Sequence, residues 1–218
     1  MKIGIIAAMT NELSFLLEKF DFDTITLKKN TFYTGEYGSH DLILVATGVG
    51  KVNAASYTQI LIDHFNPDTL INIGIAGGLH PDLSVLDVVL GSEFSHHDVS
   101  DQQMNQLFPF TSRFKADQQL LHLCKQHPNI KMTGTIVSGE QFIQDDTEKE
   151  NIINQFNPLA VDMETSAMAH TCFINDLPFV SLRCLSDLAN NEADASYENN
   201  EQLACQRVGQ ILLDLLKN

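Results

Sequence analysis

The opening stretch KIGIIAA, an isoleucine-rich run followed at once by TNELSFLLEKF, constrains the fold more than any other feature. A short, continuously apolar run is what a strand covered on both faces requires. Leu13, Leu16, Leu17 and Phe20 then recur at helical spacing. Thr10 or Asn11 is expected to cap that helix, since its side-chain oxygen can accept from free first-turn N–H groups. Glu12 therefore falls at a strand-to-helix junction.

The same rhythm runs along the chain. TITLKK, TFYTGEYG and DLILVATG read as a strand meander, KVNAASYTQILIDHF as a helix, and TLINIGIAGGL and VLDVVLGSEF as strands. ADQQLLHLCKQH and TEKENIINQF read as helices on either side of the strand IKMTGTIVSG. LAVDME then leads into TSAMAHTCFI, and FVSLRCLSD into a terminal helix containing QLACQRVGQILLDLLK. That order predicts an α/β fold with a mixed central β-sheet flanked by helices on both faces. With 218 residues, 44% of them hydrophobic, one domain spanning 1–218 is expected. The polar stretch at 187–200, DLANNEADASYENN, reads either as a solvated connection or as a lid beyond a strand end.

Charge and cysteine usage exclude several classes. A net charge of −15 disfavours a nucleic-acid backbone or an anionic membrane as partner, since both need clustered Lys and Arg. A small molecule or another protein is the expected partner. No apolar run approaches the roughly 20 residues of a membrane span, and no signal-peptide pattern opens the chain, so a soluble cytoplasmic protein is expected. Cys124, Cys172, Cys184 and Cys205 are too widely spaced for a metal knuckle and read as buried reduced thiols. His96, His97 and Asp98 lack a further ligand set, so no metal is expected.

Four ionisable residues fall at strand ends where one cleft could gather them: Glu12, Glu164, Arg183 and Asp187. Each alone reads more readily as a helix-start carboxylate or an ion-pair member than as a site residue; their joint occurrence points to a site. Asp162 reads as structural, supporting Arg183 or a turn. NIGIAGG lacks the spacing of a phosphate loop and reads as a tight turn on which a flat group can lie. Lys51, after the glycines of TGVGK, reads as a solvated lysine opening a helix.

GIIAAMTNE, TGVGKVNAA, NIGIAGGL, VSGEQFI, VDMETSAMAH and LRCLSDLA, taken in this order, resemble the bacterial 5′-methylthioadenosine/S-adenosylhomocysteine nucleosidases of the nucleoside phosphorylase and nucleosidase superfamily. The resemblance covers nearly the whole chain. It implies a nucleoside phosphorylase-like fold, a homodimer, and hydrolysis of an adenine N-glycosidic bond without metal or cofactor. Carried onto this sequence, it makes Glu12 the base that activates water and Asp187 the acid that protonates adenine N7, with Ser186 orienting Asp187. Met163 and Glu164 would hold the ribose, and Arg183 would lie near the water and the carboxylates. Phe142 would stack on adenine while the backbone of Ile143 reads its edge. Met9, Val49, Ala76 and Gly77 would line the remaining pocket, and Tyr197 would stand near the 5′ substituent.

Those roles agree with the chemistry. Glycosidic cleavage builds positive charge on the ribose and negative charge on the departing base, so an anion is needed near one and a proton donor near the other. The two oxygens of Glu164 match a vicinal diol. Asp187 needs a raised pKa and Glu12 needs to be ionised, so opposite environments are expected for the two. The loop AAMTNE contains no Lys or Arg and presents Glu12, which favours water over phosphate as nucleophile.

The chain departs from the family at Ile73 and Ile75, where hydroxyl residues are common. It departs again in a shortened segment at 96–113, where Phe108 or Phe110 would substitute for a neighbouring subunit's aromatic contribution. Two alternatives follow: a non-catalytic nucleoside sensor, or a nucleosidase for another 5′ substituent such as that of 6-amino-6-deoxyfutalosine.

Overall fold

Strand β5 (Thr69–Gly78) and strand β10 (Phe179–Asp187) are buried at every position, which only a sheet covered on both faces allows. The computed structural model describes residues 1–217; Asn218, the last residue of the expected domain, lies outside them. Around these two strands the chain runs β1 (Lys2–Ala7), α1 (Thr10–Leu17), β2 (Asp23–Leu27), β3 (Asn30–Tyr37), β4 (His40–Ala46) and α2 (Lys51–Phe65) before β5. Then come β6 (Val88–His96), α3 (Asp101–Gln106), β7 (Phe114–Lys115), α4 (Gln118–Lys125), β8 (Ile130–Ser138), α5 (Asp146–Phe156), β9 (Ala160–Asp162) and α6 (Thr165–Ile174). Strand β10 and α7 (Ala193–Leu216) close the order.

The sheet is mixed. β1 lies parallel between β4 and β5, while β10 runs parallel to β5 and antiparallel to β6. Helix α1 packs on α7, and α2 on α6, so two helix pairs cover the sheet. Strands β5, β10, β6, β8 and β9 pair in a closed circuit, from which β1, β4, β3 and β2 extend.

One detail of register creates the site. Along one edge of β5, β1 pairs only as far as Asn72, and β9 takes up pairing only at Gly77. Between those points the edge of β5 is open, and its backbone groups are available to side chains. Crevices of this kind, where neighbouring strands part, are where ligands of α/β sheets collect.

Three expectations are corrected. Helix α1 is preceded by Met9, and neither Thr10 nor Asn11 caps it. Instead the Glu12 carboxylate reaches back to the backbone N–H groups of Ala8 and Met9, both at 2.8 Å, and so holds the two donors just ahead of the helix from inside its first turn. NIGIAGG is the end of strand β5, and its glycines make room for neighbours. A Cβ at Gly74 would run into Arg183 and Glu12, and one at Gly77 would crowd Ala189 and Asp187.

The polar stretch at 187–200 is largely the start of α7, because Ala193 docks in the core and Asp194 suits a helix N-terminus. Only residues 188–192 form a connection, turned by Ala189 at a left-handed φ of 48°. Finally, the 96–113 segment contains α3 and feeds β7, elements too short to show a periodicity in sequence. The four cysteines are free and buried, as expected of reduced thiols. Among the described residues no helix is long and apolar enough to cross a membrane.

Candidate active site

The open edge of β5, the β1–α1 junction, the β9–α6 junction and the end of β10 border one cavity of about 480 Å³. Glu12, Glu164 and Asp187, far apart in sequence, all line it. All three are buried, and each is held by donors that local structure supplies.

Glu12 sits in the first turn of α1. Its Oε2 accepts from Ala8 and Met9, and its Oε1 accepts from the Ile75 N–H at 2.9 Å, on the unpaired edge of β5. The Arg183 Nη1 lies 3.6 Å from the same Oε1. Burial pushes the Glu12 carboxyl above its usual range, while Arg183 and the three backbone N–H groups pull it back.

Arg183 is fully buried and does not line the cavity, contrary to a direct contact with substrate. Its guanidinium lies behind the wall, 3.0 Å from Asp162 Oδ2, and donates to Thr165 Oγ1, Asn72 Oδ1 and the Ile75 carbonyl. Gly74 leaves the space it occupies. Asp162 does both things expected of a structural residue. It pairs with Arg183, and its Oδ1 accepts from the backbone of Glu164 and Thr165 at 3.1 Å, shaping the start of α6.

Glu164 Oε1 accepts from the Gly50 N–H at 2.7 Å. Gly50 holds a φ of 94°, open to glycine, so the TGVGK glycines aim a backbone donor at this carboxylate. Burial, with the Asp162 charge added, pushes Glu164 up to about 7 against the pull of Arg183.

Asp187 ends β10. Its Oδ2 accepts from the Ser186 hydroxyl and its Oδ1 from the Ala189 N–H, both at 2.8 Å. Burial raises its pKa against both bonds. The expected opposition between Glu12 and Asp187 is therefore not one of direction, because burial raises both. The difference lies in the donors: Glu12 has three backbone N–H groups and faces a guanidinium, whereas Asp187 has one N–H and one hydroxyl.

Met9, Val49, Ala76, Gly77, Met163, Ser186 and Tyr197 line the same cavity, as does Phe142. The Phe142 and Tyr197 rings meet edge to face with centroids 5.9 Å apart, forming an aromatic wall. Ile143 lines a smaller adjoining recess with Phe142 and Asp187 and stays outside the main cavity.

The Phosphorylase superfamily model matches residues 2–217. A Staphylococcus haemolyticus 5′-methylthioadenosine/S-adenosylhomocysteine nucleosidase is 38% identical, with 99% of each chain covered. This chain belongs to that family. The Bacillus subtilis member is 35% identical over 100% of this chain and 99% of its own. The Streptococcus pneumoniae member, solved with a transition-state inhibitor, superposes with a TM-score of 0.93 at 34% identity, covering 100% of this chain and 99% of that one. A futalosine hydrolase mutant from Helicobacter pylori also superposes, with a TM-score of 0.93 at 27% identity over 100% and 99% of the chains.

Ala8, Ile75, Gln144, Val161, Asp162 and Asp194 also line this nucleosidase-family cavity, beyond the residues that the sequence pointed to. By sequence Ile75 stands out only as a lost hydroxyl, yet its backbone N–H is one of the three that hold Glu12. No side-chain signal could have shown that. Asp194 was hidden by reading 187–200 as a connection, since only a helix brings it back over the cavity.

Proposed function

We propose that this chain hydrolyses the N-glycosidic bond of 5′-methylthioadenosine, S-adenosylhomocysteine and, by the same chemistry, 5′-deoxyadenosine, releasing adenine. The observation that carries the reading is the meeting of Glu12, Glu164 and Asp187 in one cavity with an aromatic wall. Asp187 gives its proton to adenine N7, and the C1′–N9 electron pair leaves with the base. Glu12 takes a proton from water as the water oxygen bonds to C1′. Burial raises both carboxyls above their usual range, which is the direction that a base and an acid working near neutral pH both need.

Glu164 accepts from the ribose hydroxyls with the oxygen that Gly50 leaves open, and those hydroxyls favour its charged form. The anion then stands under the developing ribosyl cation. Met163 packs against the sugar, Phe142 stacks on adenine and Tyr197 borders the 5′ substituent. Arg183 acts from behind the wall, pairing with Asp162 and opposing the upward pull of burial on Glu12.

Water is the favoured nucleophile over phosphate. Five acidic side chains line the cavity and no lysine or arginine does, among the described residues, so a phosphate dianion would find no cationic side chain to hold it. Incubation with methylthioadenosine, with adenine release followed in the presence and absence of phosphate, tests this. Phosphate-independent release is expected; tight binding of adenosine without turnover would select the sensor alternative, and an absolute need for phosphate the phosphorylase. The likeness to a futalosine hydrolase mutant favours one second reading, a different 5′ substituent. A panel varying only the 5′ group decides between them.

Homodimeric assembly, a cytoplasmic setting and service in methionine salvage complete the reading. Four free, buried thiols support a reducing compartment. Leu107, Phe108 and Phe110, each about two-thirds exposed at 64–68%, support a self-association face. Sedimentation at micromolar concentration checks it.

A further inference from the structure

Helix α5 carries a lysine that no part of the proposed chemistry uses. Lys149 is half-buried, and its Nζ donates to the Leu188 carbonyl oxygen at 2.6 Å. The chain has 28 acidic residues against 13 Lys and Arg, yet this ammonium is aimed at a carbonyl. The choice of carbonyl is informative. The peptide unit between Leu188 and Ala189 has its C=O bound by Lys149, and its N–H is the donor that holds Asp187 Oδ1 at 2.8 Å. A cation on one end of a peptide dipole strengthens the donor at the other end and fixes the plane of the unit. That constraint has work to do, because Ala189 holds a φ of 48° without being glycine.

We propose that Lys149 is a positioning residue for the acid. It fixes and polarises the Leu188–Ala189 peptide that orients Asp187, and its charge favours the carboxylate that remains once the proton has passed to adenine N7. The proposal rests on the reading of Asp187 as the general acid. The other groups around Asp187 leave this role open to Lys149. Ser186 contributes a hydroxyl, Gly77 of β5 and Val161 of β9 contribute no charge, and Asp194 of α7 is a carboxylate that opposes ionisation. Lys149 is the cation that acts in the other direction. A second clasp, from Asn191 Nδ2 to Asp146 Oδ2 at 2.7 Å, ties the same connection to α5 without placing a cation there. It serves as an internal control for loop anchoring alone.

The test compares Lys149→Met, Lys149→Arg and Asn191→Ala with the parent, using kcat, KM and the pH profile of adenine release from methylthioadenosine. Lys149→Met is expected to lower kcat by about tenfold with KM changed less than about twofold. Its alkaline limb should move to higher pH, because loss of a cation makes Asp187 hold its proton longer. Lys149→Arg should restore both, and Asn191→Ala should leave the limb in place. Parental kcat and limb in Lys149→Met overturn the proposal, as does an Asn191→Ala that reproduces both effects. Should Lys149→Met fail to fold, Lys149→Gln carries the same test, since it keeps a donor for the carbonyl and lacks the charge. An active Asp187→Asn would instead sink the acid assignment, and this proposal with it.

Discussion

Replacing Asp187 by asparagine separates chemistry from architecture, and the structure gives the size of each effect. Asparagine keeps the shape of the side chain and one carbonyl oxygen. That oxygen can accept from the Ala189 N–H, as Oδ1 now does at 2.8 Å. The new NH2 faces Ser186 Oγ, and the hydroxyl can turn its hydrogen to the Ala76 carbonyl 3.5 Å away and accept from the amide. No buried donor or acceptor is left unpaired. Stability should therefore change by less than about 1 kcal/mol, since the costly case is an orphaned group. On the proposed mechanism, catalysis loses the group that supplies the proton to N7. General-acid catalysis contributes roughly 10²–10⁴ in rate, so kcat should fall by that factor, about 3–5 kcal/mol in barrier height. The assay is adenine release at saturating methylthioadenosine beside a urea melt of the same sample. A variant that keeps more than about a tenth of the parental rate would refute the reasoning. So would a rate loss matched by loss of fold.

Arg183→Met should destabilise by about 3–5 kcal/mol, since it strips a buried cation from Asp162 and Glu12; urea denaturation measures it. Glu164 titrates near 7 in the folded, ligand-free protein against an ordinary value of 4.5, so the folded state binds the extra proton between those limits. Stability from this group is thus fully present below about pH 4.5 and is lost as pH rises to about 7. Glu164→Gln should flatten that part of the melting profile. A 2′-deoxy analogue of methylthioadenosine should lose about 100-fold or more in kcat/KM, because the Glu164 acceptor goes unpaired; steady-state kinetics checks it.

Much of the fold was legible because it rests on periodicity. The unbroken runs KIGIIA and FVSLRCLSD predict strands covered on both faces, and β1 and β10 are such strands. Where periodicity fails, reading fails. NIGIAGG looked like a turn because glycine is common in turns, but here the missing side chains admit Arg183, Glu12 and Asp187. The sequence places the start of α7 too late because its first turns are polar, and polarity on an exposed helix face is indistinguishable in sequence from a loop.

The sequence by itself determined which residues could act: the carboxylates at strand ends, the glycines between them and the aromatics nearby. Those are properties of residue type and local spacing, and they survive without a third dimension. Only the tertiary structure decided that Glu12, Glu164 and Asp187 share a cavity, and that Arg183 supports them from behind its wall. It alone decided that Glu12 is held by a β5 edge left open between β1 and β9. The reason is that burial and hydrogen bonding set each carboxylate's charge, and both depend on neighbours tens to more than a hundred residues away along the chain.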